Sequence, residues 1–193
     1  MSIASAAVLV ADLRHFLDLD DTMPTPAQRL AEHLSSIVRT ATARPAGDVW
    51  TSALGCNRRP GRQRCPGPIA VRRTEVPSSI EWQCVSCGDD GVINGWEGSA
   101  FDLQSVDAQT AADRTVRVAA DVAEALRAVM LLDVACERMV FGARMVDGSV
   151  VIEGSDDDLE TLIESVAAEA NHEPSRRRQR RLDAAYDALT RSN

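Results

Sequence analysis

The chain has 193 residues, of which 45% are hydrophobic, and this suffices for one ordinary domain with a buried core and an additional small module. Its formal net charge of −8 argues against indiscriminate binding of nucleic acid by the molecule as a whole. No apolar run approaches the length of about eighteen residues that a membrane-spanning helix needs, so we expect no membrane partner.

Residues 1–47 predict a helical hairpin. Apolar side chains recur at helical spacing over residues 3–17, and the acidic stretch 18–22 ends that pattern. A second helix is predicted to begin with Thr25 as its N-cap and Pro26 at its first position. The apolar stripe of this helix contains Leu30, Leu34, Ile37 and Val38.

Four of the five cysteines follow one another with the spacing C-x8-C-x18-C-x2-C. They are Cys56, Cys65, Cys84 and Cys87. Two cysteines separated by two residues place both sulfurs on one side of a turn, and Gly88 can take the positive φ that lets backbone N–H groups point at those sulfurs. Cys56 and Cys65 complete a tetrahedron, although their wider spacing makes a loop rather than a tight turn. The pattern therefore predicts a zinc site.

The segments around these cysteines predict β-strands. Alternating apolar residues mark strands over 69–76, 80–84 and 91–96, and the last two flank the second cysteine pair as a hairpin does. This arrangement resembles a zinc ribbon, which we assign to residues 48–102. The resemblance implies that the four cysteines hold one structural zinc ion. Such a site has no open coordination position, so its role would be structural.

Other chemistries of the four cysteines are two disulfides, a redox pair at Cys84 and Cys87, or iron–sulfur ligation. We expect no signal peptide at the start of the chain, and the cytoplasmic location that this favours keeps thiols reduced. The redox pair lacks its usual strand-to-helix setting, because residues 88–91 predict a turn into a strand. Zinc is therefore the preferred interpretation.

The zinc module also contains all three tryptophans, Trp50, Trp82 and Trp96. We expect at least two of them to form its small core. An exposed tryptophan would instead stack on a base or on a side chain of a partner.

Residues 103–113 are polar and alanine-rich, which is typical of a linker, and residues 114–193 predict a domain with the order β-α-β-β-α-α. The predicted elements are a strand at 115–119, a helix from Asp121 to Leu132, strands at 139–146 and 149–153, a helix capped by Ser155 and a last helix near Pro174. Asp147-Gly148 predicts a type I′ turn between the two later strands. The whole chain is therefore predicted to have an α+β fold.

All 21 basic residues are arginines, and two clusters hold more than half of them. The first cluster contains Arg58, Arg59, Arg62, Arg64, Arg72 and Arg73, and the second contains Arg176, Arg177, Arg178, Arg180 and Arg181. No acidic residue occurs between Cys56 and Arg73. We therefore predict that the first four arginines of the first cluster contact nucleic acid or an acidic protein partner.

The second arginine cluster occupies the first turns of the last predicted helix. Cations there oppose the helix dipole, so helix stability alone does not explain them, and an anion is expected nearby. Acids of the same domain are one source of that anion: Asp156, Asp157, Asp158, Glu160, Glu164, Glu169 and Asp183. A phosphate backbone or an acidic partner is the other source.

The sequence favours a non-enzymatic zinc-ribbon protein over two rivals. One rival is an adaptor or regulator that docks a protein partner through the C-terminal domain. The other is an enzyme, although the chain contains no glycine-rich phosphate loop, nucleophile elbow or paired-histidine motif. Cys136 is expected to be a small buried side chain rather than a nucleophile. Asn171, His172 and Glu173 form a candidate polar site, and helix capping explains Asn171 and Glu173 equally well.

Overall fold

The computed structural model of the protein describes residues 8–17, 24–104 and 114–191. The chain divides into two units, Met1–Asp102 (unit 1) and Leu103–Asn193 (unit 2), and each contains both helices and strands. The predicted α+β class is confirmed. Among the residues described, no helix has both the length and the apolar character that crossing a bilayer requires.

A sheet forms the frame of unit 1. Its strands in the described residues are β1 (Leu9–Asp12), β2 (Trp50–Gly55), β3 (Pro68–Glu75), β4 (Ser78–Cys84) and β5 (Asp90–Asn94). They lie in the order β1-β5-β4-β3-β2, in which β1 is parallel to β5 and the other neighbours are antiparallel. The hairpin predicted around the second cysteine pair is confirmed as β4 and β5. Strand β2 was not predicted.

Helix α1 (Thr25–Thr42) packs against this sheet. The predicted stripe is correct in that Leu34, Ile37 and Val38 are completely buried. On β3 the buried positions alternate, with Ile69 and Val71 turned toward the helix side of the core. Buried residues recur at every second position on the strand and about every 3.6 positions on the helix. Each element therefore presents one apolar face to the shared core.

The first predicted helix is wrong over the part of residues 3–17 that the structure describes. Leu9–Asp12 forms β1 and Leu13–Phe16 forms a single 3-10 turn; residues 1–7 and 18–23 lie outside the described residues. The apolar residues around Val10 are compatible with a helix or a strand. Parallel pairing with β5 provides hydrogen-bond partners for their backbone groups, and they form a strand. The Asp12 carboxylate then accepts a hydrogen bond from Arg14 N at 3.1 Å, which starts the turn.

Unit 2 contains a three-stranded antiparallel sheet and four helices in its described residues. The strands are β6 (Arg114–Val118), β7 (Arg144–Val146) and β8 (Ser149–Gly154), with β8 between the other two. The helices are α2 (Ala120–Arg127), α3 (Val134–Phe141), α4 (Asp156–His172) and α5 (Arg176–Thr190). Most of the predicted linker, residues 105–113, lies outside the described residues, while Leu103 is buried.

The predicted order of unit 2 lacked one helix. Residues 139–141 belong to α3 and not to a strand, because the Asp133 side chain accepts a hydrogen bond from Cys136 N at 2.7 Å and caps a new helix there. The turn between β7 and β8 has the φ values of 50° at Asp147 and 77° at Gly148 that a type I′ turn requires. The cap of α4 is also as predicted, since Ser155 Oγ accepts from Asp158 N at 3.1 Å.

Replacing Ile37 by alanine is expected to lower the free energy of unfolding of unit 1 by about 2–5 kcal/mol, because the side chain is completely buried in the core. The control is Val49→Ala, at a side chain 62% exposed, with an expected change within about 0.5 kcal/mol. Since all three tryptophans lie in unit 1, tryptophan fluorescence during urea unfolding reports this unit selectively. Equal effects of the two substitutions would contradict the assigned core.

Candidate metal centre

The sheet of unit 1 brings four cysteines together at one end. Two lie in the β2–β3 connection and two at the turn between β4 and β5, namely Cys56, Cys65, Cys84 and Cys87. Gly55, the last residue of β2, pairs with Pro68 at the start of β3. The next residue of β3, Ile69, pairs with Cys84 at the end of β4. Both connections therefore leave the sheet at the same end of β3.

The four Sγ atoms form one cluster, in which all lie within 4.8 Å of one another. The Sγ atoms of Cys56 and Cys87 are 3.7 Å apart, and those of Cys65 and Cys84 are 3.6 Å apart. A tetrahedron with metal–sulfur bonds of about 2.3 Å has sulfur–sulfur edges of about 3.8 Å. The cluster therefore has the size that a single tetrahedrally coordinated metal ion requires.

The geometry disfavours the other interpretations of these cysteines. All five cysteines of the chain are free thiols. The Cys84–Cys87 pair is followed by a turn into β5, whereas the dithiol of a redox domain precedes a helix. A multi-iron cluster holds its cysteine sulfurs further apart than a single ion does, because several irons and bridging sulfides lie between them. A site for one metal ion is the arrangement that remains.

Backbone N–H groups point at the sulfurs in both connections. Arg58 N lies 3.4 Å from Cys56 Sγ, and Ser86 N lies 3.4 Å from Cys84 Sγ, so each donor comes two residues after its cysteine. Such hydrogen bonds favour the thiolate, which is the form that binds a metal. Gly88 has the predicted positive φ, 70°, and its N–H donates to the Cys84 carbonyl at 3.1 Å.

The thiols of the cluster do not ionise independently of one another. Burial raises the pKa of Cys56. Burial also tends to raise the pKa of Cys84. Hydrogen bonds from the N–H groups of Cys87 and Ser86 and from the neighbouring thiols outweigh this effect, so the pKa of Cys84 is lowered. Four thiols in contact cannot all lose their protons unless a positive charge lies between them. A metal cation supplies that charge, and its binding displaces the protons.

Burial within the cluster is uneven. Cys56, Cys65 and Cys84 are buried, and Cys87 is exposed. An ion held by all four thiolates would join the two connections.

Gly67 is a residue of the site that the sequence analysis did not identify. A Cβ atom at this position would lie 2.4 Å from Ser86 Oγ and 2.8 Å from Cys84 Sγ. Its carbonyl accepts a hydrogen bond from Cys56 N at 2.9 Å. Only glycine lets the two connections approach this closely. Its position between two prolines is the sequence signal that could have marked it.

The arginines of the β2–β3 connection lie in an exposed loop, residues 57–64. Arg58, 67% exposed, has its Nε 3.5 Å from the Asp89 carboxylate. No described residue forms an ion pair with Arg59 or Arg62. Arg64 is exposed, and its guanidinium lies near Gly55. The structure thus places four of the predicted contact residues on one loop.

The other two arginines of the first cluster have structural roles. Arg72 forms an ion pair with Glu81 across β3 and β4, with an Nη2–Oε2 distance of 2.6 Å. Arg73 is only 5% exposed, and its guanidinium lies over the ring of Trp96, 5.9 Å from the centroid. Burial lowers the pKa of Arg73. These two side chains contact the sheet and the core, not the loop.

The tryptophans follow the expectation that at least two are in the core, since Trp82 and Trp96 are buried. Trp50 is partly buried, and the guanidinium of Arg44 lies 5.2 Å from its ring centroid. His33 of α1 stands edge-on to Trp82, with ring centroids 5.9 Å apart. Burial lowers the pKa of His33, because it disfavours the charged imidazole.

The second arginine cluster lies at the start of α5, in unit 2. Arg178 donates to Glu169 and Glu173, and its Nη2 donates to the Ala128 carbonyl at 2.7 Å. The predicted internal anion is therefore present for this arginine. The remaining members, Arg176, Arg177, Arg180 and Arg181, pair with no described residue.

The polar groups considered for catalysis have structural contacts. Cys136 is completely buried, its pKa is raised to about 12 by burial, and its thiol donates to the Asp158 carbonyl at 3.6 Å. His172 Nδ1 lies 2.8 Å from the Ala168 carbonyl. Glu173 accepts from Ser175 N at 2.8 Å, directly before α5.

Comparisons of the chain with protein-family models, with characterised proteins and with solved structures found no match. Its function is therefore inferred from the geometry of the site itself.

Protein purified under reducing conditions is expected to contain one metal ion per chain, because the sulfur cluster fits a single ion. The variant Cys84→Ser, Cys87→Ser should lose that ion, since two of the four thiolates are gone. Cys136→Ala should retain it, because Cys136 is not part of the cluster. Elemental analysis measures all three. Retention of the ion by the double variant would exclude the assigned ligands.

Gly67→Ala is expected to weaken metal binding by at least about tenfold, the usual effect of displacing the groups that support metal ligands. The added Cβ would collide with Ser86 and Cys84, so one connection must move. Gly55→Ala is the matched control, since its Cβ would meet nothing closer than Arg64 Nη2 at 3.7 Å. Competition with a chromophoric chelator measures both affinities. Equal affinities would show that this close approach does not position the ligands.

Proposed function

We propose that the protein is a non-enzymatic zinc-binding protein in which a structural zinc ion holds the loop of residues 57–64, and that this loop binds nucleic acid. The main observation in support of this proposal is the exposure and charge of the loop. It begins directly after Cys56 and ends directly before Cys65, every residue in it is exposed, and its four arginines face no acid within the loop.

Zinc is the ion that the donor set favours. Four thiolates are soft ligands, and a tetrahedral four-cysteine site is the usual form of structural zinc. Zinc has no redox chemistry and would complete its coordination with these four sulfurs. The site then contributes folding energy and rigidity to unit 1.

The loop has local order that supports recognition. Cys65 N donates to the Arg58 carbonyl at 2.9 Å, and Gln63 N donates to the Pro60 carbonyl at 3.2 Å. Arg62 has a φ of 69°, directly after a glycine that is also left-handed. A loop that is ordered before binding loses less conformational entropy in the complex.

Phosphate is the anion that suits this loop best. The planar guanidinium pairs with phosphate oxygens in a two-pronged geometry, and a nucleic-acid backbone repeats that anion at short intervals. The net charge of −8 repels polyanions from the rest of the molecule, so binding depends on the loop and is sensitive to salt. An acidic protein segment is the second class of ligand that the same arginines fit.

The variant Arg59→Glu, Arg62→Glu is expected to bind labelled duplex DNA or hairpin RNA at least about tenfold more weakly than the wild type, because two phosphate contacts become repulsive. On duplex DNA, the slope of log K against log salt should fall in magnitude by about two. Fluorescence anisotropy across a salt series measures both quantities.

The matched control is Arg29→Glu, Arg117→Glu, which changes the net charge equally at two exposed sites outside the loop. It should bind nearly as the wild type does. Equal weakening by both variants would overturn the assignment to the loop. Binding of polyglutamate as tight as that of nucleic acid would select an acidic protein partner instead.

A further inference from the structure

The four cysteines of the metal centre differ in their access to solvent. Cys87 is exposed, whereas the other three are buried. The turn that carries Cys87 is exposed from residue 85 to residue 88. Oxidation of a thiol requires contact between the sulfur and the oxidant, so it follows exposure. A small oxidant dissolved in water therefore reaches Cys87 before the other cysteines of the cluster.

The exposed cysteine has a second sulfur in contact with its own. Cys56 Sγ lies 3.7 Å from Cys87 Sγ, while the sulfurs of Cys65 and Cys84 lie 3.6 Å from each other. An oxidised cysteine forms a disulfide when a second thiol lies close enough to attack it. For Cys87, such a thiol is already present in the folded protein.

Cys84, the other cysteine of the same turn, is less suited to this reaction. Its sulfur accepts a hydrogen bond from Ser86 N at 3.4 Å and lies against the sulfur of Cys65. A bond from Cys84 to Cys87 would disturb both contacts. Cys56, which comes from the other connection, is therefore the expected partner of Cys87.

We propose that the metal centre is a peroxide-sensitive switch, in which Cys87 and Cys56 form a disulfide and the ion is released. This inference rests on the proposed function, since it concerns the regulation of the same zinc site and the same arginine loop. The oxidant is hydrogen peroxide, a small molecule that needs no binding pocket. The reduced state holds the ion, and the oxidised state does not.

The reaction has two steps. The Cys87 sulfur attacks one oxygen of hydrogen peroxide, the O–O bond breaks, and a sulfenic acid forms as hydroxide leaves and takes a proton from solvent. The Cys56 sulfur then attacks the Cys87 sulfur, so the S–S bond forms and the S–O bond breaks, and the second hydroxide also leaves as water. In total, two thiolates lose two electrons, and peroxide with two protons becomes two water molecules.

The disulfide removes two ligands and one end of the loop from the metal centre. Only Cys65 and Cys84 remain as thiolates, and two thiolates do not complete the four-coordinate site of structural zinc. Cys65 loses its link to the β4–β5 turn, although its N–H orders the loop by donating to the Arg58 carbonyl at 2.9 Å. The loop is then less ordered before binding, which weakens its binding of nucleic acid.

Treatment of the zinc-loaded full chain with hydrogen peroxide tests the proposal. A chromophoric chelator reports release of the ion, and peptide mass spectrometry identifies the disulfide. We expect loss of the ion together with a disulfide between Cys56 and Cys87, and recovery after a thiol reductant and zinc are added. Cys136 should stay reduced, because it is completely buried. Retention of the ion, or a first disulfide between any other pair, would overturn the proposal.

Two histidine variants separate the exposed thiol from metal binding. Histidine is also a ligand of structural zinc, so Cys87→His and Cys65→His each keep four ligands. Cys87→His should retain its ion at the peroxide concentration that empties the wild type, because the exposed thiol is gone. Cys65→His should release the ion, because Cys56 and Cys87 remain. Equal release by the two variants would contradict the assigned pair. For a variant that fails to load zinc, the disulfide map of the wild type decides.

Failure of the switch can be distinguished from failure of the proposed function. Reduced protein that lacks metal, or that does not bind labelled DNA, would overturn the proposed function before any peroxide is added. Where the reduced protein does both, peroxide should weaken its DNA binding in the anisotropy assay, and reductant with zinc should restore it. Unchanged DNA binding after release of the ion would overturn the regulation of the loop.

Discussion

The contact among four sulfur atoms is the constraint on which unit 1 depends. Sulfurs at distances of 3.6–3.7 Å can be thiolates only if a cation separates their charges, and the protein has buried three of the four. The sheet meets this constraint through strand β3, which pairs with β2 on one side and β4 on the other. Metal binding and sheet register are therefore coupled, because a shift of β3 by one residue would separate the two cysteine pairs.

The same coupling explains why the arginine loop can be both exposed and ordered. A loop without buried apolar side chains has little to hold its conformation. Here backbone hydrogen bonds within the loop order it, and Cys56 and Cys65 fix its two ends in the sulfur cluster. If the ion is zinc, as we propose, the four-thiolate site would carry a formal charge of −2, which the arginines of the adjoining loop would partly offset. The electrostatics of such a site would stabilise the loop that we propose as the binding surface.

Local features of the sequence were sufficient to predict the four clustered cysteines, the β4–β5 hairpin and helix α1. The cysteine spacing, the alternation of apolar residues in strands and the helical periodicity can each be recognised within a short stretch of sequence. The features that sequence analysis missed depend on distant residues. Residues 9–12 are a strand because β5 pairs with them, and Gly67 matters because Ser86 lies against it. At α3, the cap provided by Asp133 was overlooked in favour of an apolar run that a strand could share.

The uneven burial of the ligands has a kinetic consequence. Cys87 is the one exposed ligand, and it sits in a short turn, whereas Cys56 and Cys65 bracket a longer loop and are buried. A competing chelator would therefore approach a bound ion from the Cys87 side, where the sulfur cluster is exposed among the described residues. Exchange of the ion should therefore begin with detachment of this single sulfur, while the other three keep the strands in register. The opening of one turn would then set the lifetime of the bound metal, whereas the whole sheet would contribute to its affinity.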